Sequence, residues 1–375
     1  MSAEFVISPK SLDDSALLVS NCAFHPHEPV LACAVQGGPV RLYQQPDAVG
    51  SIVPLSKWKE TVFNPVSTQY PVSDASCLQW DADGRRLAVG YQNGTLILWN
   101  GEDGCRLLER RKHTARIGSI RWNPIRTNVF ASASSNDRSA LVWDADKKPS
   151  PLVQRFTDAD RIDDVVWISA TRLAFYSRDQ TDGIIRICQI GRENPIMALV
   201  HGNSINSVRW NPQVNLLASV SSFVTKGTGH VMLQIWSPDQ NDPIKTLIQA
   251  QSEVRCIDWL TQENGANKPL FVVGGCADGS TIVWNLDDEG NSHKRLDDGH
   301  YAAINDLCFS PNRRWLASID RDGQLIIRLA EDWRKVYETK TEASNCQRAL
   351  SWSGSSDKLA IVNARYQVFL VEIIH

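Results

Sequence analysis

Two stretches of the chain set a histidine, a serine and an aspartate at spacings that could do hydrolytic chemistry. The first holds His113, Ser132 and Asp137, followed by Trp143. The second holds His300, Ser318 and Asp322, with Arg328 where the tryptophan would stand. A serine hydrolase needs one such set, with its hydroxyl open to substrate. Here the set recurs at matching offsets, which marks a structural device that satisfies buried polar groups and fixes local geometry. Other catalytic signatures are missing: the sequence has no GxxxxGK[ST] phosphate loop, no GxSxG elbow, no HExxH and no GxGxxG. His25 and His27 flank Pro26 in a turn without further metal ligands, and they read as surface histidines. The reading is therefore of a chain without enzyme activity, catalytic residues, metal or cofactor.

The elements that carry these residues are repeats. The segments "SIRWNPIRTNVFASASSNDRSALVWD", "SVRWNPQVNLLASVSS" and "DLCFSPNRRWLASIDRDGQLIIRLA" share one plan. Each runs as an alternating strand, a polar turn, a second alternating strand, an Asp/Asn-rich turn and a third strand. Five more copies fit the plan, giving cores at 21–44, 76–100, 119–144, 164–190, 206–237, 255–285, 305–330 and 349–373. Their spacing of about 40–50 residues is that of four-stranded propeller blades. Ten of the thirteen tryptophans fall into register with this period. Trp80, Trp122, Trp167, Trp210, Trp259 and Trp352 sit on first strands, with Phe24 and Phe309 in the other two copies. Trp99, Trp143, Trp236 and Trp284 end third strands. Such fixed aromatics read as packing between neighbouring sheets.

The fold class is all-β: an eight-bladed WD40 β-propeller, one domain over 1–375. A fourth strand is expected in the variable stretch after each core. The eighth copy has no room for one, so the apolar stretch Phe5–Ile7 is expected to close its sheet. In this architecture His113, Ser132, Asp137 and Trp143 resemble the WD-repeat structural tetrad, and His300, Ser318 and Asp322 resemble it in part.

Loops that precede first strands, and turns between second and third strands, reach one edge of each blade. Rigid blades make that edge the natural docking surface. Counting back from each first-strand aromatic gives Leu18, Asp74, Arg116, Arg161, Ser204, Glu253, Ala303 and Cys346. The turns add Gln36, Gln92, Asn136, Thr181, Ala277 and Arg321. The candidate partner-binding residues are Asp74, Arg116, Asn136, Arg161, Ser204, Glu253 and Arg321. Arg116 and Arg161 fall on adjacent blades and together suit an acidic or carbonyl-rich peptide. A stretched turn, Ser221–His230, belongs to the same edge, and the insertion Thr261–Pro269 to the opposite one.

Bulk properties bound the partner classes. Net charge is -3 with no basic block, so direct nucleic-acid binding is not expected. No apolar run reaches the roughly 20 residues of a membrane span, and the N-terminus has no secretory pattern. Nine cysteines without a CxxC pair read as reduced thiols of a nuclear or cytosolic protein.

Beyond the repeat, the run "RICQIGRENPIMALVHGNSINSVRWNPQVNLLASVSS" resembles blades of the transducin β-like corepressor subunits, the group that includes the yeast Sif-type proteins. The departure of copy four from a Trp-Asp ending and the Asn264–Pro269 insertion are similar to theirs. The resemblance spans roughly residues 20–373. It implies a nuclear scaffold in a histone-deacetylase corepressor complex, whose partners are other complex subunits, histone tails or corepressor peptides. Members of the group carry an N-terminal LisH segment. The residues ahead of copy one, which include Pro9, are too few for it, so the expectation is the propeller alone. Two alternatives remain open. One is a substrate receptor of a cullin-type ubiquitin ligase, although the Trp143-Asp144 pair is followed by Lys147 where such receptors carry Arg. The other is an RNA-processing or trafficking scaffold, nuclear or cytoplasmic.

Overall fold

The computed structural model describes residues 4–7, 18–46, 55–65, 70–71, 73–158, 160–177, 182–225, 228–250, 252–260, 270–288, 293–297, 299–341, 349–363 and 367–374. The strands form eight four-stranded antiparallel sheets, the blades of a β-propeller. Contacts group the chain into two compact units, Met1–Val165 with Ala349–His375, and Val166–Arg348.

In unit one, blade 1 comprises Val19–Phe24, Val30–Val35, Val40–Gln44 and Lys59–Phe63. Blade 2 comprises Ala75–Trp80, Arg86–Tyr91, Thr95–Asn100 and Arg106–Arg111. Blade 3 comprises Ser119–Trp122, Val129–Ser134, Ser139–Asp144 and Leu152–Thr157. Blade 8 takes Leu350–Trp352, Lys358–Val362 and Val368–Ile374 from the C-terminus and Glu4–Ile7 from the N-terminus. That N-terminal strand is the expected closing strand, in register from Glu4 opposite Ile374 to Ile7 opposite Val371.

Burial falls from the middle of a blade outward. The second strand of blade 3, VFASAS, is buried at every position, whereas its outer strand alternates between exposed and half-buried until Phe156. A strand covered on both faces has no room for alternation, so its residues are apolar or small. Between blades 1 and 2 the core joins Leu42 and Phe63 to Leu78, Trp80 and Trp99. Between blades 2 and 3 it joins Leu96 and Leu98 to Trp122, Phe130 and Trp143.

The first-strand tryptophans do more than pack. Trp80 Nε1 donates to the carbonyl of Ala23 at 3.3 Å, and Trp122 Nε1 to that of Gln79 at 3.1 Å. Each indole thus reaches the residue just before the equivalent aromatic of the preceding blade, so an indole N–H that burial would strand is satisfied. Gln79 also accepts the Trp122 N–H through its side chain at 3.1 Å. Ser351 likewise accepts the Phe24 N–H at 3.0 Å, joining blades 8 and 1.

In unit two, blade 4 continues from Asp164–Trp167, within which the division falls, to Arg172–Tyr176, Ile184–Gln189 and Met197–Val200. Blade 5 comprises Ile205–Asn211, Leu216–Thr225, Thr228–Trp236 and Lys245–Ala250. Blade 6 comprises Val254–Leu260, Phe271–Cys276, Thr281–Asn285 and His293–Leu296, and blade 7 Ile304–Phe309, Trp315–Asp320, Gln324–Leu329 and Lys335–Lys340. The same stitch recurs, with Trp259 Nε1 donating to the carbonyl of Arg209 at 3.1 Å. Asp258 accepts the Phe309 N–H at 2.9 Å.

Two readings need correction here. The segment Ser221–His230 is not a stretched loop: its residues lengthen both strands into a ribbon paired as far as Thr225 opposite Thr228. His25 is not a surface residue. It is buried, its Nδ1 accepts the N–H groups of His27 and Glu28, and its Nε2 bonds the carbonyl of Gly84 at 2.9 Å. His27 is exposed and reaches the carbonyl of Ala82 at 2.8 Å. The pair clamps blade 1 to blade 2. The insertion Thr261–Pro269 lies outside the described residues.

Candidate functional site

The histidine of blade 3 stands on the loop before the first strand, its serine on the second strand and its aspartate in the following turn. His113 Nδ1 lies 2.8 Å from Asp137 Oδ2, and His113 Nε2 lies 2.7 Å from Ser132 Oγ. Trp143 Nε1, which can only donate, gives its proton to Ser132 Oγ at 2.8 Å. The serine hydroxyl therefore turns its own proton toward His113 Nε2, which places the ring proton on Nδ1, facing the carboxylate. Ser139 Oγ and the Thr114 N–H also donate to Asp137, at 2.7 and 3.0 Å. Burial raises the Asp137 carboxyl, but the bonds from His113, Ser139 and Thr114 outweigh it and hold the pKa at about 2. Ser132 has 0% exposure, closed in by His113 and Trp143, so its oxygen is no open nucleophile.

Blade 7 builds a related net with a different aspartate. His300 Nε2 meets Ser318 Oγ at 2.8 Å, but His300 Nδ1 meets Asp320 Oδ2 at 3.1 Å, not Asp322. The turn is one residue shorter than in blade 3, running 321–323 against 135–138. Residues i and i+2 of a strand share a face, so Asp320 stands beside Ser318 and below the histidine. Asp322 gives only its backbone N–H to Asp320, at 3.0 Å. Burial opposes ionisation of Asp320, yet His300 and the backbone donors of Gln324 and Asp322 lower its pKa. Arg328 is buried at the place of the missing tryptophan and donates to the carbonyl of Trp333 at 3.3 Å.

Blade 5 carries a third version that the sequence reading passed over. Trp236 Nε1 donates to Ser219 Oγ at 2.8 Å, and His201 Nε2 lies 3.5 Å from the carbonyl of Ser219. The step from His201 to Ser219 equals that from His300 to Ser318, which is the signal that could have found it. Ser221 stands where blade 7 has Asp320. His201 Nδ1 and Ser221 Oγ are both buried without a partner among the described residues. Burial lowers the His201 pKa to about 4.

The loop and turn positions meet through the main chain. In unit one the N–H of Gln36 donates to the carbonyl of Leu18 at 2.7 Å, and that of Gln92 to Asp74 at 2.9 Å. In unit two Ala277 pairs with Glu253 at 2.7 Å and Arg321 with Ala303 at 2.8 Å. In blades 1, 2, 6 and 7 the loop is thus clasped to the turn of its own blade. Arg116, Asn136 and Arg161 are exposed in unit one. Arg161 Nε donates to Ser135 Oγ at 2.6 Å, and its Nη2 lies 3.7 Å from Asp163. Asp74 is half-buried and accepts the Gly37 N–H at 2.6 Å, so its carboxylate is engaged within the fold. In unit two Glu253 and Arg321 are exposed and Ser204 is half-buried. Thr181 and Cys346 lie outside the described residues.

Comparison with known proteins bears on this geometry. Residues 56–125 match the family described as anaphase-promoting complex subunit 4 WD40 domain, and residues 291–327 match WD domain, G-beta repeat. The crystal structure of the C-terminal WD40 domain of Sif2 is similar with a TM-score of 0.75 and 20% identity, covering 99% of each chain. The chain is a WD-repeat β-propeller. It is similar in part to the F-box-like/WD repeat-containing protein TBL1X of Mus musculus. They are 31% identical over 38% of this chain and 26% of that protein, so the match spans about a quarter of its length. THO complex subunit 3 of Arabidopsis thaliana is 22% identical over 75% of this chain and 84% of its own. SIR4-interacting protein SIF2 of Saccharomyces cerevisiae is 24% identical over 61% and 43%. In this WD-repeat protein the tetrad of blade 3 is part of the repeat's hydrogen-bonded frame. No helix among the described residues is long and apolar enough to cross a membrane.

Proposed function

We propose that this WD-repeat propeller is a non-catalytic protein–protein interaction scaffold, a subunit of a nuclear chromatin or histone-deacetylase corepressor complex, acting as one domain. The observation that carries the scaffold reading is the clasp of loop to turn in blades 1, 2, 6 and 7, with the blade 3 loop tied to its turn through Asp137, which holds exposed polar side chains on rigid supports. Preorganised loops bind with a smaller entropic penalty than mobile ones. The partial similarity to TBL1X and to SIF2 supports the corepressor assignment. The partners are other protein subunits; in unit one they dock at the loops and turns that carry Arg116, Asn136 and Arg161, and in unit two the contact residues are Glu253 and Arg321.

A second reading, a scaffold of RNA processing, is favoured by the similarity to THO complex subunit 3 over three quarters of this chain. Affinity purification of the tagged native protein, with mass spectrometry of what accompanies it, separates the two. A deacetylase with corepressor subunits supports the first; an RNA-processing assembly replaces it with the second. In the same experiment Arg116→Glu with Arg161→Glu is expected to abolish the main interaction while the melting temperature moves by only a few degrees. An intact complex from that variant would move the interface away from this edge.

A further inference from the structure

Blade 1 sets two cysteines face to face. Cys22 on its first strand stands directly opposite Cys33 on its second, in unbroken register from Phe24 opposite Leu31. Side chains of directly opposed residues leave an antiparallel pair on the same face. The spacing is of the closer kind. The His25 N–H donates to the Val30 carbonyl at 2.8 Å, which makes those two residues a hydrogen-bonded pair. Hydrogen-bonded and non-hydrogen-bonded pairs alternate along the ladder. Three steps inward, Cys22 and Cys33 therefore form a non-hydrogen-bonded pair, with Cα atoms about 4.5 Å apart. A disulfide spans Cα separations of about 4.4–6.8 Å. Both residues are thiols in this structure. Other strand cysteines stand opposite residues that carry no thiol: Cys77 opposite Gly90, Cys256 opposite Gly275 and Cys308 opposite Ala317.

Cys22 is 7% exposed and Cys33 fully enclosed. Burial, then the neighbouring Cys22 thiol and Glu60, raise the Cys33 thiol well above its ordinary value. The thiolate is the reactive form, so the pair withstands brief contact with an oxidant and reacts slowly under sustained contact. The strand that bears Cys22 also holds blade 1 to its neighbours. Ser20 Oγ donates to the carbonyl of Ala75 at 2.6 Å, and the Phe24 N–H to Ser351 Oγ at 3.0 Å. A bond at Cys22 falls between these two stitches.

We propose that Cys22 and Cys33 are a redox modification site, closed to a cross-strand disulfide by a hydroperoxide and reopened by thiols. Cys22, the less enclosed of the two, reacts first. Its sulfur attacks one peroxide oxygen, the O–O bond breaks, and the hydroxide released takes up the Cys22 proton as water, leaving a sulfenic acid. The Cys33 sulfur then attacks that sulfur. The S–S bond forms, the S–O bond breaks, and a second water leaves with the Cys33 proton. The two sulfurs lose two electrons and the peroxide gains them. At the short end of the Cα range a disulfide is strained, which makes it easy to reduce and suits a reversible modification. The site is independent of the docking edge.

The test uses the purified full chain, treated with hydrogen peroxide for increasing times, unfolded in N-ethylmaleimide and cut with trypsin for mass spectrometry. The tryptic peptide 11–41 holds both cysteines and no other. It is expected to accumulate unlabelled and lighter by two hydrogens than its dithiol form. Dithiothreitol added before blocking should return it to the form that takes two labels. At the same time points the peptides of Cys77, Cys256 and Cys308 should stay labelled, while loss of label at the exposed Cys105 shows that the oxidant acted. The oxidised chain should keep its native near-ultraviolet circular dichroism. Cys33→Ala should abolish the lighter peptide and leave Cys22 labelled; Cys22→Ser, which should leave Cys33 labelled, serves if the first variant does not fold. Retention of both labels while Cys105 is consumed would overturn the proposal. So would a bond from Cys22 or Cys33 to any other cysteine, or a lighter peptide that appears only with loss of the native spectrum.

Discussion

Blade 3 and blade 5 both join a histidine, a serine and a tryptophan around the second strand, yet only in blade 3 does the histidine face a carboxylate. His113 has Asp137 at 2.8 Å, while His201 Nδ1 has no partner among the described residues. Both rings are buried, at 2% and 3% exposure. The difference shows what the aspartate does. It gives a buried imidazole a place for its Nδ1 proton and lets the serine–tryptophan pair close on the other nitrogen. Without it, burial outweighs the bond to the Ser219 carbonyl, and the ring resists a proton.

The comparison can be broken hardest from the blade 3 side. Replacing Asp137 by Ala removes the acceptor of His113 Nδ1, Ser139 Oγ and the Thr114 N–H together. Stranding several buried donors should lower the unfolding free energy by about 3 kcal/mol. Denaturant titration of both proteins measures it. A loss below about 1 kcal/mol would show that the net relaxes around water and that blade 3 depends on the carboxylate no more than blade 5 does.

Acid separates the two blades next. The folded pKa of His201 is about 4 against 6.5 for the free side chain, so its neutral form contributes stability that is complete above pH 6.5. That stability drains as pH falls from 6.5 through about 4, with roughly 2 kcal/mol gone at pH 5. Asp137 runs in another window: its folded pKa of about 2 against 3.8 gives stability that is complete above 3.8 and lost below it. Between pH 7 and pH 5, blade 5 should therefore weaken through His201 while the Asp137 contribution holds. Comparing the fall in unfolding free energy for the native chain and for His201→Gln isolates the part due to this ring. Equal falls in the two proteins would refute the assignment.

How far these blades were legible in the sequence follows from the same residues. The tryptophans and alternating strands fix the fold because their period survives every change of loop. The tetrad of blade 3 was legible because its aspartate sits in the turn, at the place the repeat predicts. Asp320 was not, since a turn shortened by one residue moves the carboxylate onto the strand, and only the shared face of i and i+2 positions reveals it. His201 was missed because no aspartate advertises it. At the edge, counting from the aromatics paired Leu18 with Gln36 and Asp74 with Gln92, as the backbone bonds do. Counting says nothing of side chains that arrive from the outer strand, such as Arg155, whose Nη2 donates to Ser139 Oγ at 3.3 Å.

Blade 7 supplies the means to convert blade 5 into a carboxylate-bearing net. Its histidine and serine are separated as in blade 5, and its carboxylate stands two residues after the serine, where blade 5 has Ser221. Ser221→Asp should place a carboxylate against His201 Nδ1. The ring could then hold two protons, donating one to the new carboxylate and one to the Ser219 carbonyl, which already faces Nε2. Its pKa should rise above that of the native chain, and the loss of stability between pH 7 and pH 5 should shrink or vanish. At pH 7 the net gain should be small, about 1 kcal/mol, because desolvating a carboxylate opposes the new ion pair. A titration of the His201 ring by nuclear magnetic resonance, with denaturant melts at both pH values, reads both effects. If the ring stays near its native pKa, the carboxylate has not reached it, and the equivalence of Ser221 with Asp320 fails.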